Sequence, residues 1–249
     1  MKTSKVRLAF VGHAGAGKDL ATALVKRALF AIANDNKQSA IVDINCILRN
    51  TSQYLLEHSC NSQSNFINIL RFADPLKHYI ALMEQVDAST TFEQSYKLSI
   101  ASKAFAKSEI DNFSIRDVHL KLSDALKKTF GDNHFVQYMH NALEHRKDVR
   151  NIIVADCRYP NEVELLKQHG FKFVKLVNQS NEVDAPQHSS ESFVDEIAVD
   201  CVLHHDGKNA QKFAAAIDEM MLKLFKQQLI ELDRFAMLMK LHHMDVEAI

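Results

Sequence analysis

Residues 8 to 29, LAFVGHAGAGKDLATALVKRAL, constrain the fold more than any other stretch of this 249-residue chain. Residues 5 to 11, KVRLAFV, form a short β-branched and aromatic run, a buried strand in pattern, that runs into Gly12. From Lys18 to about Ala33 the apolar positions Leu20, Ala23, Leu24, Ala28 and Ala31 recur at helical spacing. Between them lies G-x-x-x-x-G-K, from Gly12 through His13, Ala14, Gly15, Ala16 and Gly17 to Lys18. Glycines at 12, 15 and 17 let backbone N–H groups turn inward around an anion without interference from Cβ atoms. The helix that follows adds its positive N-terminal end, and Lys18 can span the β- and γ-phosphates of a bound nucleotide. A glycine turn with a chance lysine would need neither the strand before it nor the helix after it. Strand, loop and helix together read as a phosphate loop.

The remaining chain alternates in the same way. Strands are expected at AIVDI (40–44), NFINILRF (65–72), NIIVADCRYP (151–160), FKFVKLV (171–177) and AVDCVL (198–203). Helices are expected near Pro75, from the N-cap candidate Ser114 to Phe130 with Gly131 as its stop, over 133–147, and across NEVELLKQHG. One long helix or two follow from Asn209, with a Met- and Leu-rich end. Strands alternating with helices imply a parallel sheet of about five strands with helices on both faces. Residues 88 to 113 are polar and Ala/Ser-rich, suited to an inserted helical subdomain or lid. The organisation is one domain over 1–249, with a helical insertion at about 75–147, a lid-like loop at about 178–197 and a helical tail at about 209–249.

Bulk properties close off several classes. Net charge is −1, so no basic excess argues for a nucleic-acid polymer as partner, and an anionic substrate must meet local cations. Four scattered cysteines, Cys46, Cys60, Cys157 and Cys201, make no C-x-x-C pair and fit a reducing cytoplasm better than a disulfide framework or zinc site. The start, MKTSKVRLAFVG, is too short an apolar run for a signal peptide, and no stretch reaches the roughly 18 apolar residues of a membrane span. A cytoplasmic protein without a membrane partner is the expectation.

Two positions carry the metal question. Asp19 stands where a Ser or Thr hydroxyl usually ligates magnesium. A carboxylate is also a hard oxygen ligand, yet an aspartate in a first helical turn equally suits the helix dipole. Asp156 ends an apolar run, the place of the acidic residue that organises magnesium beside a phosphate loop, and Arg158 follows two residues on. A strand-end turn with a surface Arg158–Glu162 ion pair is the plainer reading. Sites in open parallel sheets gather at the carboxyl ends of strands, which favours the functional one.

GHAGAGKD, FADPLK (72–77), IRDVHLKLSDALKKTFGDNHF (115–135), VADCRYPNE (154–162), and HSSE (188–191) with HDGKNAQKF (205–213) occur in that order. Together they resemble the deoxynucleoside monophosphate kinases of bacteriophages, including a D-x-R-x-x-x-E signature at Asp156, Arg158 and Glu162. The resemblance implies a P-loop kinase fold and transfer of the ATP γ-phosphoryl group, with Mg2+, to a deoxynucleoside monophosphate (dNMP). It implies ATP on Gly12 to Asp19, with Asp19 and Asp156 toward the metal. Lys18, Asp156, Arg158 and Arg116 are the catalytic candidates, Arg116 binding the acceptor's phosphate. Phe72, Asp74 and Lys77 would line the acceptor side, and Glu162 would serve the catalytic edge with Arg158. Leu20 stands where the family often has Thr or Ser, and Leu120 and Ser123 replace a frequent Gln and Gly. Phage encoding would place the protein in the host cytoplasm.

The loop from Asn178 to Asp200 contains six acids and no Lys or Arg, so stabilising cations must come from elsewhere. Lys18, Arg116, Arg158, Arg71 or the Lys127–Lys128 pair can supply them. The pairs His204–His205 and His242–His243 lack the spacing that places two ligands on one helical face. The apolar C-terminal helix offers a surface for pairing with a second copy. The G-K-D loop also resembles one type of phosphomevalonate kinase, so that substrate, dephospho-coenzyme A and non-catalytic nucleotide binding stand as alternatives. A guanine-reading N-K-x-D is absent, because residues 36–39 read NKQS, and no L-S-G-G-Q-like signature occurs.

Overall fold

A computed structural model describes residues 5–34, 47, 51, 66–87, 90–102, 105, 113–180 and 192–246, without the side chains of 33, 34, 92, 94 and 232–246. In chain order the elements are β1 (Arg7–Val11), α1 (Lys18–Asn34), β2 (Ile67–Leu70), α2 (Asp74–Glu84), a 3-10 turn (Thr90–Phe92) and α3 (Gln94–Lys97). They continue with α4 (Ile115–Phe130), α5 (His134–Glu144), β3 (Asn151–Cys157), α6 (Pro160–Gln168), β4 (Lys172–Asn178), β5 (Cys201–His205) and α7 (Ala210–Val246). The chain divides into two compact units, Met1–Ile69 with Asp148–Ile249, and Leu70–Lys147.

The first unit is α/β. Among its described residues, five parallel strands lie in the order β2-β3-β1-β4-β5. Neighbouring residues of a strand point to opposite faces, and Leu8, Ala9, Phe10 and Val11 are all buried, as are Asn151 to Ala155. Both faces of the central strands are therefore covered, which explains continuous apolar runs in place of alternation. Leu8, Phe10, Leu24, Val174, Phe213 and Met221 belong to one core that joins the sheet to α1 and α7. α7 is one helical run interrupted at the buried Phe225, whose φ of −130° and ψ of 21° break the helical geometry. Leu20 also packs against this core, which accounts for an apolar residue beside the phosphate loop.

Strand boundaries depart from the sequence expectation most clearly in three strands. The run through Pro160 ends at Cys157, because Tyr159 takes the extended backbone a following proline favours and Pro160 opens α6. The 65–72 run shortens to 67–70, as Phe72 and Ala73 turn into α2. β5 begins at Cys201, since Asp200 is held as a turn, its N–H donating to the Phe173 carbonyl (2.9 Å) and its carboxylate accepting from the Phe173 N–H (2.8 Å). The expected strand at 40–44 lies outside the described residues. No helix among the described residues is long and apolar enough to cross a membrane.

The second unit is helical and locally specified. Ser114 caps α4: its Oγ accepts from the Asp117 N–H (3.1 Å) and the Asp117 carboxylate accepts from the Ser114 N–H (3.0 Å), a reciprocal capping box. Gly131, at φ 91°, ends the helix and donates its N–H to the Lys127 carbonyl at 2.8 Å. Ile80, Ile115 and Val118 make a small core with Tyr96, Phe113 and Leu122 around it.

Candidate phosphate-binding site

The phosphate loop leaves β1 at the centre of the sheet. From β1 the chain crosses to β2 at one edge, while β4 flanks β1 on the other side, so the carboxyl end of β1 is a topological switch point. Gly12 (φ 157°), Gly15 (φ 76°) and Gly17 (φ 80°) take positive backbone angles. At Gly12 a Cβ would lie 2.9 Å from the Leu176 carbonyl oxygen of β4, a contact side chains do not tolerate. Lys18, nearly buried, folds back over the loop, its Nζ donating to the carbonyls of Gly12 (2.6 Å) and His13 (2.7 Å). The Ala16 N–H closes a turn onto the His13 carbonyl at 3.2 Å. Among the described residues, the N–H groups of Gly15 and Gly17 meet no acceptor. Such donors, beside a lysine and a helix N-terminus, suit an anion. Ala14 lies in the same turn, and Asp19 is partly exposed in the first turn of α1.

β3 contributes the acidic edge. Ala9 pairs with Val154, but Val11 pairs with Cys157, so β3 carries one extra residue in its last turn of ladder. A bulge at this point re-aims side chains at a strand end. Asp156 is partly exposed between buried Ala155 and Cys157. Arg158, also partly exposed, leads into α6. Glu162 is buried at the N-terminus of α6, where its Oε2 accepts from the backbone N–H groups of Arg158 (2.7 Å) and Tyr159 (3.1 Å). Its carboxylate thereby fixes the turn that carries Arg158. Burial, with Glu162 and Asp156 nearby, holds the Cys157 thiol well above its usual range, so it stays protonated.

The other side of the loop is framed by β4 and β5. The Asn178 Nδ2 lies 3.4 Å from the Gly15 carbonyl oxygen, and the His205 Nε2 lies 3.0 Å from that of Ala16. His13 meets the Asp195 carboxylate at 3.2 Å, and Lys175 of β4 holds the other carboxylate oxygen at 2.6 Å. The Lys175 hydrogen bond, more than that of His13, keeps the Asp195 carboxyl below the ordinary range. Lys172 pairs with Asp200 at 2.8 Å. Two of the six acids in the 178–200 segment, Asp195 and Asp200, are thus tied to lysines of β4, and Val194, just before Asp195, is buried. HSSE and His188 fall outside the described residues.

The second unit holds the remaining sequence candidates. Phe72 is buried, and the Asp74 carboxylate accepts from the Arg71 N–H at 3.0 Å in the first turn of α2. Lys77 is on α2 and Arg116 on α4, both partly exposed. His119 lies one turn beyond Arg116, on the same face of α4. Its Nε2 is buried without a partner among the described residues. Burial, then the charges of Lys77 and Lys97, push this imidazole down to about 4, so it is neutral at physiological pH.

Asn178, His205, Lys175, Asp195 and His119 were not singled out for site roles from sequence. His205 opens the HDGKNAQKF stretch and His119 lies within IRDVHLKLSDALKKTFGDNHF, yet those stretches assigned them no role, and no motif includes the other three. Asn178 and His205 are simply the last residues of their strands, and their importance follows from where those strands end. Among the described residues no cluster of three or more His, Cys, Asp or Glu is gathered about a common point. No known protein family matches the chain, and no curated protein sequence is significantly similar to it.

Proposed function

We propose that the chain is an ATP-dependent deoxynucleoside monophosphate kinase with a P-loop kinase fold. The observation that carries this reading is the Gly12–Asp19 loop at a switch point of a parallel sheet, with Gly15 and Gly17 N–H donors that meet no acceptor among the described residues and Lys18 folded across it. Phosphoryl transfer asks little covalent chemistry of a protein and depends on positioning and cationic stabilisation. Lys18 would move from its own loop carbonyls onto the β- and γ-phosphates. Arg158, anchored through Glu162, would offset charge on the transferring group, and Arg116 would hold the acceptor's phosphate. Asp19 and Asp156 are partly exposed hard oxygen donors at the same carboxyl edge of the sheet and would hold a magnesium ion, which would supply charge neutralisation for the phosphates.

The test is a coupled ADP-release assay presenting dAMP, dCMP, dGMP, dTMP and the ribonucleotides separately. Turnover with at least one deoxynucleotide is expected. Turnover only with phosphomevalonate or dephospho-coenzyme A would transfer the reading to those kinases. ATP binding without turnover on any acceptor would leave a non-catalytic nucleotide-binding protein.

A further inference from the structure

We infer that Asn178 and His205 are positioning residues of the phosphate loop, holding its Gly15 and Ala16 carbonyls outward so that its N–H groups stay inward. The role rests on the nucleotide-binding reading above and adds two residues to it. The tautomer of His205 follows from its partners. The Gly207 N–H can only donate, so Nδ1, 3.2 Å away, accepts. In the neutral ring Nε2 then carries the proton and donates to the Ala16 carbonyl at 3.0 Å. The ring is stacked on Phe213 of α7, centroids 4.4 Å apart, which fixes its plane. Two glycines make room. A Cβ at Gly17 would come within 3.3 Å of the His205 ring, and one at Gly207 within 3.2 Å of the Asn178 amide oxygen. Asn178 is oriented in turn: its Oδ1 accepts from the Ser180 N–H at 3.0 Å, leaving Nδ2 toward Gly15.

A peptide plane turns as a unit, so anchoring the Ala16 carbonyl also sets the Gly17 N–H, while anchoring the Gly15 carbonyl sets the Ala16 N–H, which closes the turn onto His13. A loop whose donors are preset loses less freedom when it closes on phosphate. Ring substitutions separate this role from packing. His205→Phe keeps the stack on Phe213 but removes both ring nitrogens. His205→Gln retains a donor at the reach of Nε2, while His205→Asn mimics only Nδ1. The measurements are amide hydrogen exchange of residues 12–17 without ligand, ATP affinity by calorimetry, and the thermal midpoint. We expect His205→Phe and His205→Asn to speed exchange in the loop and weaken ATP binding about tenfold, as befits one lost hydrogen bond. His205→Gln should stay within about threefold of the parent on that scale. Asn178→Leu should speed exchange around Gly15. Loop exchange and ATP affinity unchanged in His205→Phe would overturn the role and leave only packing. If that variant does not fold, equal loop exchange and ATP affinity in the Gln and Asn variants would overturn it instead. Faster exchange in a protein whose parent form binds no ATP would keep the tether and sink the nucleotide reading.

Discussion

The phosphate loop and the helix α4 are both short glycine-marked designs, and they are specified in opposite ways. α4 is closed by neighbours: Ser114 and Asp117 cap one end and Gly131 the other, all within the stretch from Ser114 to Gly131. The loop is held by residues 160 to 190 positions away, Asn178 on β4 and His205 on β5, with Asp195 on His13. A local device can be read from its spacing, because its partners occupy fixed offsets. A device assembled by strand order cannot, since Asn178 and His205 share nothing in sequence but their position at strand ends.

The contrast can be attacked by mutation. Lys18→Ala should lower turnover by about a thousandfold or more, with a thermal midpoint near the parent's, if the lysine's main task is at the phosphates as proposed. Parent-like kinetics in steady-state assays would remove the loop from the reaction. Gly12→Ala should follow, costing several kcal/mol and nucleotide binding with it, as the new Cβ meets the backbone oxygen of Leu176 at 2.9 Å. Gly131→Ala meets nothing within 4 Å and should cost only the conformational strain of its φ, about 1–3 kcal/mol. Denaturant melts of the two glycine variants compare a tertiary requirement with a local one. Equal losses would erase the distinction.

A pH series probes the second unit. His119 drops from 6.5 unfolded to about 4 folded, so between those values the unfolded chain binds the extra proton. Stability from this group is therefore intact above about pH 6.5 and falls as pH drops toward 4, by at most about 3 kcal/mol. Asp117 and Asp195, both held below the ordinary carboxyl range, lose stability in the same acid direction. Urea melts from pH 7 to 4 on parent and His119→Phe isolate the histidine. The variant should show a shallower acid decline, and identical slopes would mean that His119 is solvated in solution.

Much of the architecture was legible. β1, α1, α4, α5 and α6 lie where apolar periodicity and cap residues put them, because burial on one face writes a period into the sequence. Glu162 was legible as a partner of the turn at Arg158, yet its Oε2 accepts from the backbone N–H groups of Arg158 and Tyr159, a capping geometry the surface ion pair did not anticipate. Leu20 looked anomalous beside a phosphate loop only while its neighbours were unknown, and the core explains it. β5 was placed three residues early because hydrophobicity marks a buried run and not the residue at which pairing with β4 begins.

By itself the sequence determined that strand, glycine loop and lysine-led helix follow one another, since φ freedom, helix capping and apolar period act over a few residues. It also determined the order of the acidic edge, Asp156 to Glu162, and the limits of α4. Tertiary structure alone decided that β4 and β5 end beside the loop, so that Asn178, His205 and Asp195 meet Gly15, Ala16 and His13. The physical reason is that a parallel sheet brings distant carboxyl ends to one edge, and the contacts made there are set by strand order and register.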